Sequence, residues 1–166
     1  MPSENAFSAD NQQERLEGWI VGFVDGEGCF SVSIIKNSTM KNGWQIFSEF
    51  VVTQGEKSVK SLQLLKKHFG CGNVYVNRRK DNHKENLCRY CVRSIRDLSE
   101  RIIPFFMKYK LKTAKRADFK RFVTILKMLE TKKHFKKKGM VNIAKQIQQM
   151  NRKLPARFLE SSETTC

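Results

Sequence analysis

Two kinds of periodicity take turns along the chain. Cys29 to Lys36 alternates, with Phe30, Val32 and Ile34 on one side and Cys29, Ser31, Ser33 and Ile35 on the other. A period of two predicts a strand with one covered face. Trp44 to Gln54 alternates again: Ile46, Phe50 and Val52 oppose Gln45, Phe47, Glu49, Val51 and Thr53. The turn-like stretch Asn37 to Gly43 between them predicts an antiparallel hairpin with a long tip. A second hairpin is predicted from Asn73 to Arg79 and Leu87 to Arg93, around the polar tip 80–86. Elsewhere the apolar residues fall three or four apart, as one face of a helix requires. A first helix is predicted from Gln12 to about Asp25. Another runs from Ser58 to Phe69, through Val59, Leu62, Leu65 and Phe69, and is stopped by Gly70-Cys71-Gly72. Ile95 to Phe106 carries Leu98, Ile102 and Phe106 on one stripe, with Pro104 as an interruption. Thr113 to about Phe135 reads as a longer helix, Lys136 to Gly139 as a break, and Met140 to Asn151 as a last short helix.

The order is helix, hairpin, helix, hairpin, helices. Two hairpins of half-covered strands join into a four-stranded antiparallel sheet with helices on a single face, an α+β fold. At 166 residues the chain suits one domain. That domain is placed at 12–151, behind a loose lead-in at 1–11 and ahead of a frayed tail at 152–166.

Charge narrows the choice of partner. A formal net charge of +16 and a pI near 9.9 point to a polyanion. Nucleic acid is the expectation. A membrane is disfavoured, because no stretch approaches the ~18 uninterrupted apolar residues of a span. Five cysteines, an odd number, argue against a complete disulfide framework. An intracellular, reducing compartment fits better, and the polar start of the chain lacks the apolar centre of a secretory signal.

A sheet covered on one side leaves the other for that partner. The outward set is predicted to hold Ser31, Ser33, Gln45, Glu49, Thr53, Tyr75, Asn77, Arg79, Arg89 and Arg93. These are base-edge chemistries, arginine for guanine and asparagine or glutamine for adenine, on a ribbon that the major groove admits. Lys36, Lys41, Arg78, Lys80 and Lys84 would extend contact from the tips. A second basic run, from Lys115 and Arg116 through Lys120, Arg121 and Lys127 to Lys136, Lys137 and Lys138, is either a solvated helix face or a set of phosphate contacts. His68, Cys71, Cys88 and Cys91 have a superficial zinc-ribbon spacing. Cys88 and Cys91, however, stand three apart on a predicted strand and so on opposite faces.

The stretch around which the chain is organised is Trp19-Ile20-Val21-Gly22-Phe23-Val24-Asp25-Gly26-Glu27-Gly28-Cys29-Phe30. Gly18, Gly22 and Gly26 recur every four residues and stack on one helix face. Each costs roughly 1 kcal/mol relative to alanine, which makes sense where a second backbone must come very close. Asp25 and Glu27 end the helix where its dipole disfavours negative charge. A divalent cation there would reverse that penalty. A plain buried helix followed by two solvated acids is the bland alternative.

The string Ile20-Val21-Gly22-Phe23-Val24-Asp25-Gly26-Glu27-Gly28 closely resembles the nine-residue signature of the LAGLIDADG homing endonucleases. The resemblance covers roughly residues 13–130 and implies an αββαββα fold. It also implies a metal-dependent nuclease that cuts both strands of a long duplex site, leaves short 3′ overhangs and promotes the mobility of a host intron. A single signature implies half of a symmetric enzyme. Two copies would pair through Gly18, Gly22 and Gly26 on a pseudo-palindromic site. Glu27, with the Gly26 carbonyl, would then hold Mg²⁺; aspartate is usual at this position, so glutamate adds a methylene. Gln54 matches a residue that orients the water, and Lys112 matches the basic residue beside the scissile phosphate. Asp25 is assigned to helix-end and interface structure. A further position, usually basic, falls on Ser58, where Lys57 or Lys60 would have to substitute. Read alone, Gln54 is a strand-end polar residue and Lys112 one lysine among many. The alternative from another class is an intron RNA maturase or a non-cleaving DNA-binding protein on the same fold. An organelle or a prokaryotic cytoplasm suits either.

Overall fold

The computed structural model describes residues 4–78 and 85–150. Helix α1 (Glu4–Glu27) passes directly into strand β1 (Gly28–Lys36), which turns into β2 (Trp44–Gly55). A single turn, Glu56–Ser58, leads into α2 (Val59–Phe69), followed by β3 (Asn73–Asn77) and β4 (Leu87–Val92). Three helices follow: α3 (95–108), α4 (Lys115–Glu130) and α5 (Lys137–Gln148).

The strands form one antiparallel sheet in the order β1-β2-β4-β3. Register explains the two faces. Phe30 stands opposite Phe50, Val52 opposite both Gly28 and Tyr90, and Phe50 opposite Val92. All of these apolar side chains are buried against the helices, together with Leu62, Leu65, Leu98, Ile102, Phe106, Phe119 and Phe122. Phe30 is the hub, with its ring centroid 5.0 Å from those of Phe50 and Phe119 and 5.4 Å from that of Phe122. On the opposite face Ser31 faces Glu49, Ser33 faces Phe47, and Arg89 stands between Thr53 and Tyr75. The α+β architecture expected from the alternation is the one observed.

The helix limits differ from the sequence reading in four places. Helix α1 begins at Glu4 rather than near Gln12, so residues 4–11 are helical although they carry no apolar stripe. Inside α3, Leu98–Ile102 widens into a π turn, with the Ile103 N–H reaching the Leu98 carbonyl. Pro104 follows directly and has no N–H to give, so the widened turn absorbs the break and keeps Leu98, Ile102 and Phe106 buried. Helix α4 stops at Glu130 instead of Phe135, because Lys132 adopts the left-handed region at φ 56°. Gly139 lies inside α5 rather than ahead of it, and a side chain there would meet the Lys133 carbonyl oxygen at 1.9 Å.

Candidate active site at the end of the first helix

Helix α1 is half sunk in the protein. Ile20 and Val24 are wholly buried, while Leu16, Val21 and Phe23 pack at the margin of the core. The glycine stripe looks the other way. Outside the helix's own backbone, a Cβ built on Gly18, Gly22 or Gly26 meets no atom of the described residues within 4 Å. Beside that open strip Trp19 stacks on Phe23 with centroids 4.9 Å apart, yet remains 38% exposed. The helix ends without a connecting loop because Gly28 lets β1 leave hard against it; a Cβ there would lie 2.6 Å from Val24 Cγ1.

The acids at this terminus do different things. Asp25 accepts hydrogen bonds from the Lys112 N–H at 2.7 Å, the Thr113 N–H at 3.2 Å and the Thr113 hydroxyl at 2.8 Å. It therefore ties the segment before α4 to the end of α1. Lys115 returns the tie: its Nζ donates to the carbonyls of Val24 at 2.9 Å, Asp25 at 3.0 Å and Gly26 at 3.4 Å. A cation on the last carbonyls of a helix offsets both their unpaired lone pairs and the negative end of the dipole. Burial pushes the Asp25 carboxyl up, but the bonds from Lys112 and Thr113 and the Lys115 charge together hold it below its ordinary value. Burial pulls the Lys115 ammonium down, opposed by Cys29, Asp25, Glu27 and Asp118.

Glu27 and Gly26 are exposed at the same terminus, and Lys112, brought there by its own backbone bond to Asp25, is exposed beside them. The structure thus brings Glu27, Gly26 and Lys112 to one edge. Gln54 lies on the neighbouring strand, two residues past Val52, the partner of Gly28, and opposite Cys88. It is half-buried on the core-facing side of β2. Ser58 is exposed, as are Lys57 and Lys60; the Lys57 N–H is held by the Glu85 carboxylate at 2.6 Å. Among the described residues no three His, Cys, Asp or Glu side chains gather as a metal cage. One carboxylate and one carbonyl are nonetheless hard oxygen donors of the kind Mg²⁺ takes, since that ion keeps waters and borrows phosphate oxygens.

The described members of the expected outer set lie on that face or at its edge, and several of them are engaged with one another. Ser33, Tyr75 and Asn77 are exposed, and Ser31 and Thr53 half-buried. Gln45 accepts from the Asn37 side-chain amide at 2.8 Å and so is tied to the hairpin tip. Arg79 lies outside the described residues, as do Lys80 and Lys84. Glu49 is not a free acceptor. It is paired with Arg89, and with Arg93 at 3.1 Å. Cys88 and Cys91 fall on opposite faces, Cys88 in the core and Cys91 donating its thiol to Glu49 at 3.4 Å.

Sequence reasoning missed Lys115 as a member of this site and placed it only in the basic run. The signal was there: a lysine and an arginine in the first turn of α4 oppose that helix's own dipole, which calls for a neighbouring negative terminus.

A one-sided sheet with a glycine-faced helix ending in acids defines the class. The sequence model described as LAGLIDADG endonuclease matches residues 20–126, and the chain belongs to that family. The probable intron-encoded endonuclease 3 of Neurospora crassa is 32% identical over 139 residues, 82% of this chain and 25% of the relative. The crystal structure of the homing endonuclease I-TnaI superposes with a TM-score of 0.79 at 37% identity, covering 89% of this chain and 96% of that one. The I-LtrWI LAGLIDADG homing endonuclease bound to target DNA gives a TM-score of 0.82 at 31% identity, covering 92% of this chain and 50% of that one. The chain therefore spans about a quarter of the curated relative, half of I-LtrWI and nearly all of I-TnaI.

Proposed function

We propose that the protein is a site-specific homing endonuclease that hydrolyses both strands of a long, pseudo-palindromic DNA duplex and leaves short 3′ overhangs. What supports this reading is the end of α1, where Asp25 accepts from the Lys112 N–H and Lys115 caps the Gly26 carbonyl beside an exposed Glu27. Similar chains named as intron-encoded or homing endonucleases support it, and one of them is bound to target DNA.

In this reading two copies meet on the open glycine strip of α1, so that each presents one Glu27 to one DNA strand. Among the described residues the strip has no neighbour outside its own helix within 4 Å of an added Cβ. Glu27 and the Gly26 carbonyl would hold Mg²⁺, which when bound polarises a phosphoryl oxygen and makes a bound water more acidic. Gln54 orients the attacking water from the adjacent strand, and the Lys112 ammonium offsets charge gathering at the scissile phosphate. The outer sheet face lies in the major groove. Intron mobility is the biological use, in an organelle or a prokaryotic cell. No helix of the described residues is long and apolar enough to cross a membrane.

Ser58 supports a second reading. A neutral, exposed side chain stands where the resembling pocket is usually basic, which favours a non-cleaving DNA binder or an RNA maturase. Incubation with a randomised duplex library and Mg²⁺, followed by sequencing of the ends, separates the two. Paired ends with short 3′ overhangs at one enriched sequence are expected; intact duplex with retained RNA or DNA binding would move the assignment to the second reading.

A further inference from the structure

On the outer face the acid lies beneath and the guanidiniums above. The Glu49 side chain is 13% exposed, against 39% for Arg89 and 48% for Arg93. One carboxylate oxygen takes Nη2 of Arg89, and the other takes Nε of Arg93 at 3.1 Å and the Cys91 thiol at 3.4 Å. The Phe47 ring supports the Arg93 guanidinium at 5.1 Å. With Nε engaged, the two terminal amino groups of Arg93 form the edge turned away from the carboxylate, a planar fork suited to guanine O6 and N7. Glu49 comes from β2, Arg89 from β4 and Arg93 from just beyond the end of β4, so the arrangement is set by strand pairing.

We infer that Glu49 is a specificity-determining positioning residue: it clamps Arg89 and Arg93 into fixed orientations on the sheet face, so that they read bases instead of sampling phosphates. The inference rests on the DNA-binding reading above. A free arginine on a flexible stem finds phosphates on any duplex, whereas a held fork discriminates between base pairs. An acid on a DNA-facing surface weakens non-specific attraction while its neighbours gain selectivity. Its removal therefore moves affinity for random DNA and selectivity in opposite directions.

The test compares the unaltered protein with Glu49→Gln in selection from a randomised duplex pool, alongside binding to random-sequence duplex across a salt series. The expected result has three parts. Base preference at one or two guanine positions per half-site falls about tenfold to a hundredfold, the value of a lost bidentate contact. Preference elsewhere in the site is kept. Affinity for random duplex rises, with a log–log salt slope steeper by about one to two, because freed arginines take phosphates. A purely structural Glu49 would lower binding to every duplex together with thermal stability. That result, or unchanged preferences and slope, overturns the clamp. If the substitution prevents folding, Arg93→Lys keeps the charge and loses the fork; it should flatten one guanine position while preference elsewhere in the site is kept, and a preserved guanine preference would overturn the proposal. If the unaltered protein enriches no sequence, the DNA-recognition reading has failed.

Discussion

Removing the Asp25 carboxylate should loosen the loop that carries Lys112 without disturbing the core. In Asp25→Ala, three hydrogen bonds disappear, two from the backbone amides of Lys112 and Thr113 and one from the Thr113 hydroxyl. A bond to a charged group contributes about 1.5–3 kcal/mol when water is excluded. This site is open to solvent, and the freed amides rehydrate, so about 2 kcal/mol for the whole cluster is a reasonable total. That is roughly thirtyfold in the opening equilibrium, or about 4–8 °C in Tm for a domain of this size. Hydrogen exchange at the Lys112 and Thr113 amides should lose about that factor of protection. Asp25→Asn, which keeps one acceptor oxygen and loses the charge, should fall between. The carboxyl is held below its ordinary 3.8, so its contribution is complete above that pH and is lost as pH falls through the depressed value. The acid limb of the Tm–pH curve should accordingly shrink in Asp25→Asn. Unchanged protection at Lys112 and Thr113 in Asp25→Ala would refute the tie.

Two further substitutions probe the helix and the core. Gly22→Leu should leave a monomer in sedimentation across a range of concentrations where the proposed assembly of the unaltered protein is a dimer, because a Cβ there meets no described atom within 4 Å outside its own helix and a second helix is what the side chain would obstruct; a persistent dimer would place the interface elsewhere. Phe30→Ala removes a fully buried ring from among Phe50, Phe106, Phe119 and Phe122 and should lower stability by about 3–5 kcal/mol in chemical denaturation, with a loss under 1 kcal/mol contradicting its place as the hub.

Much of the fold was legible because alternation survives wherever one face is buried. Ser31 and Glu49, or Tyr75 and Arg89, share the outer face for the same reason that Phe30 and Phe50 share the inner one. What was not legible had no apolar periodicity of its own to show it. Residues 4–11 have no apolar stripe and continue a helix that packing has already nucleated further on. The π turn before Pro104 is a local answer to one missing N–H. At the candidate site, Glu27 and Lys112 were expected through the resemblance, and their roles are those proposed above. The reciprocal ties of Asp25 and Lys115, some ninety residues apart, had no periodicity to betray them. Glu49 was placed on the face where it lies, but the pairing of its carboxylate with two arginines left no sign in the sequence.

The central claim is that Glu27 serves the chemistry and leaves folding alone, and cutting against binding by Glu27→Gln tests it most directly. Glu27 is exposed at the helix end, so its amide should fold, melt and bind the selected duplex nearly as the unaltered protein does, within about threefold in Kd. Cleavage of that same duplex in Mg²⁺ should disappear. Retained cleavage, or a variant that no longer folds, would contradict the account.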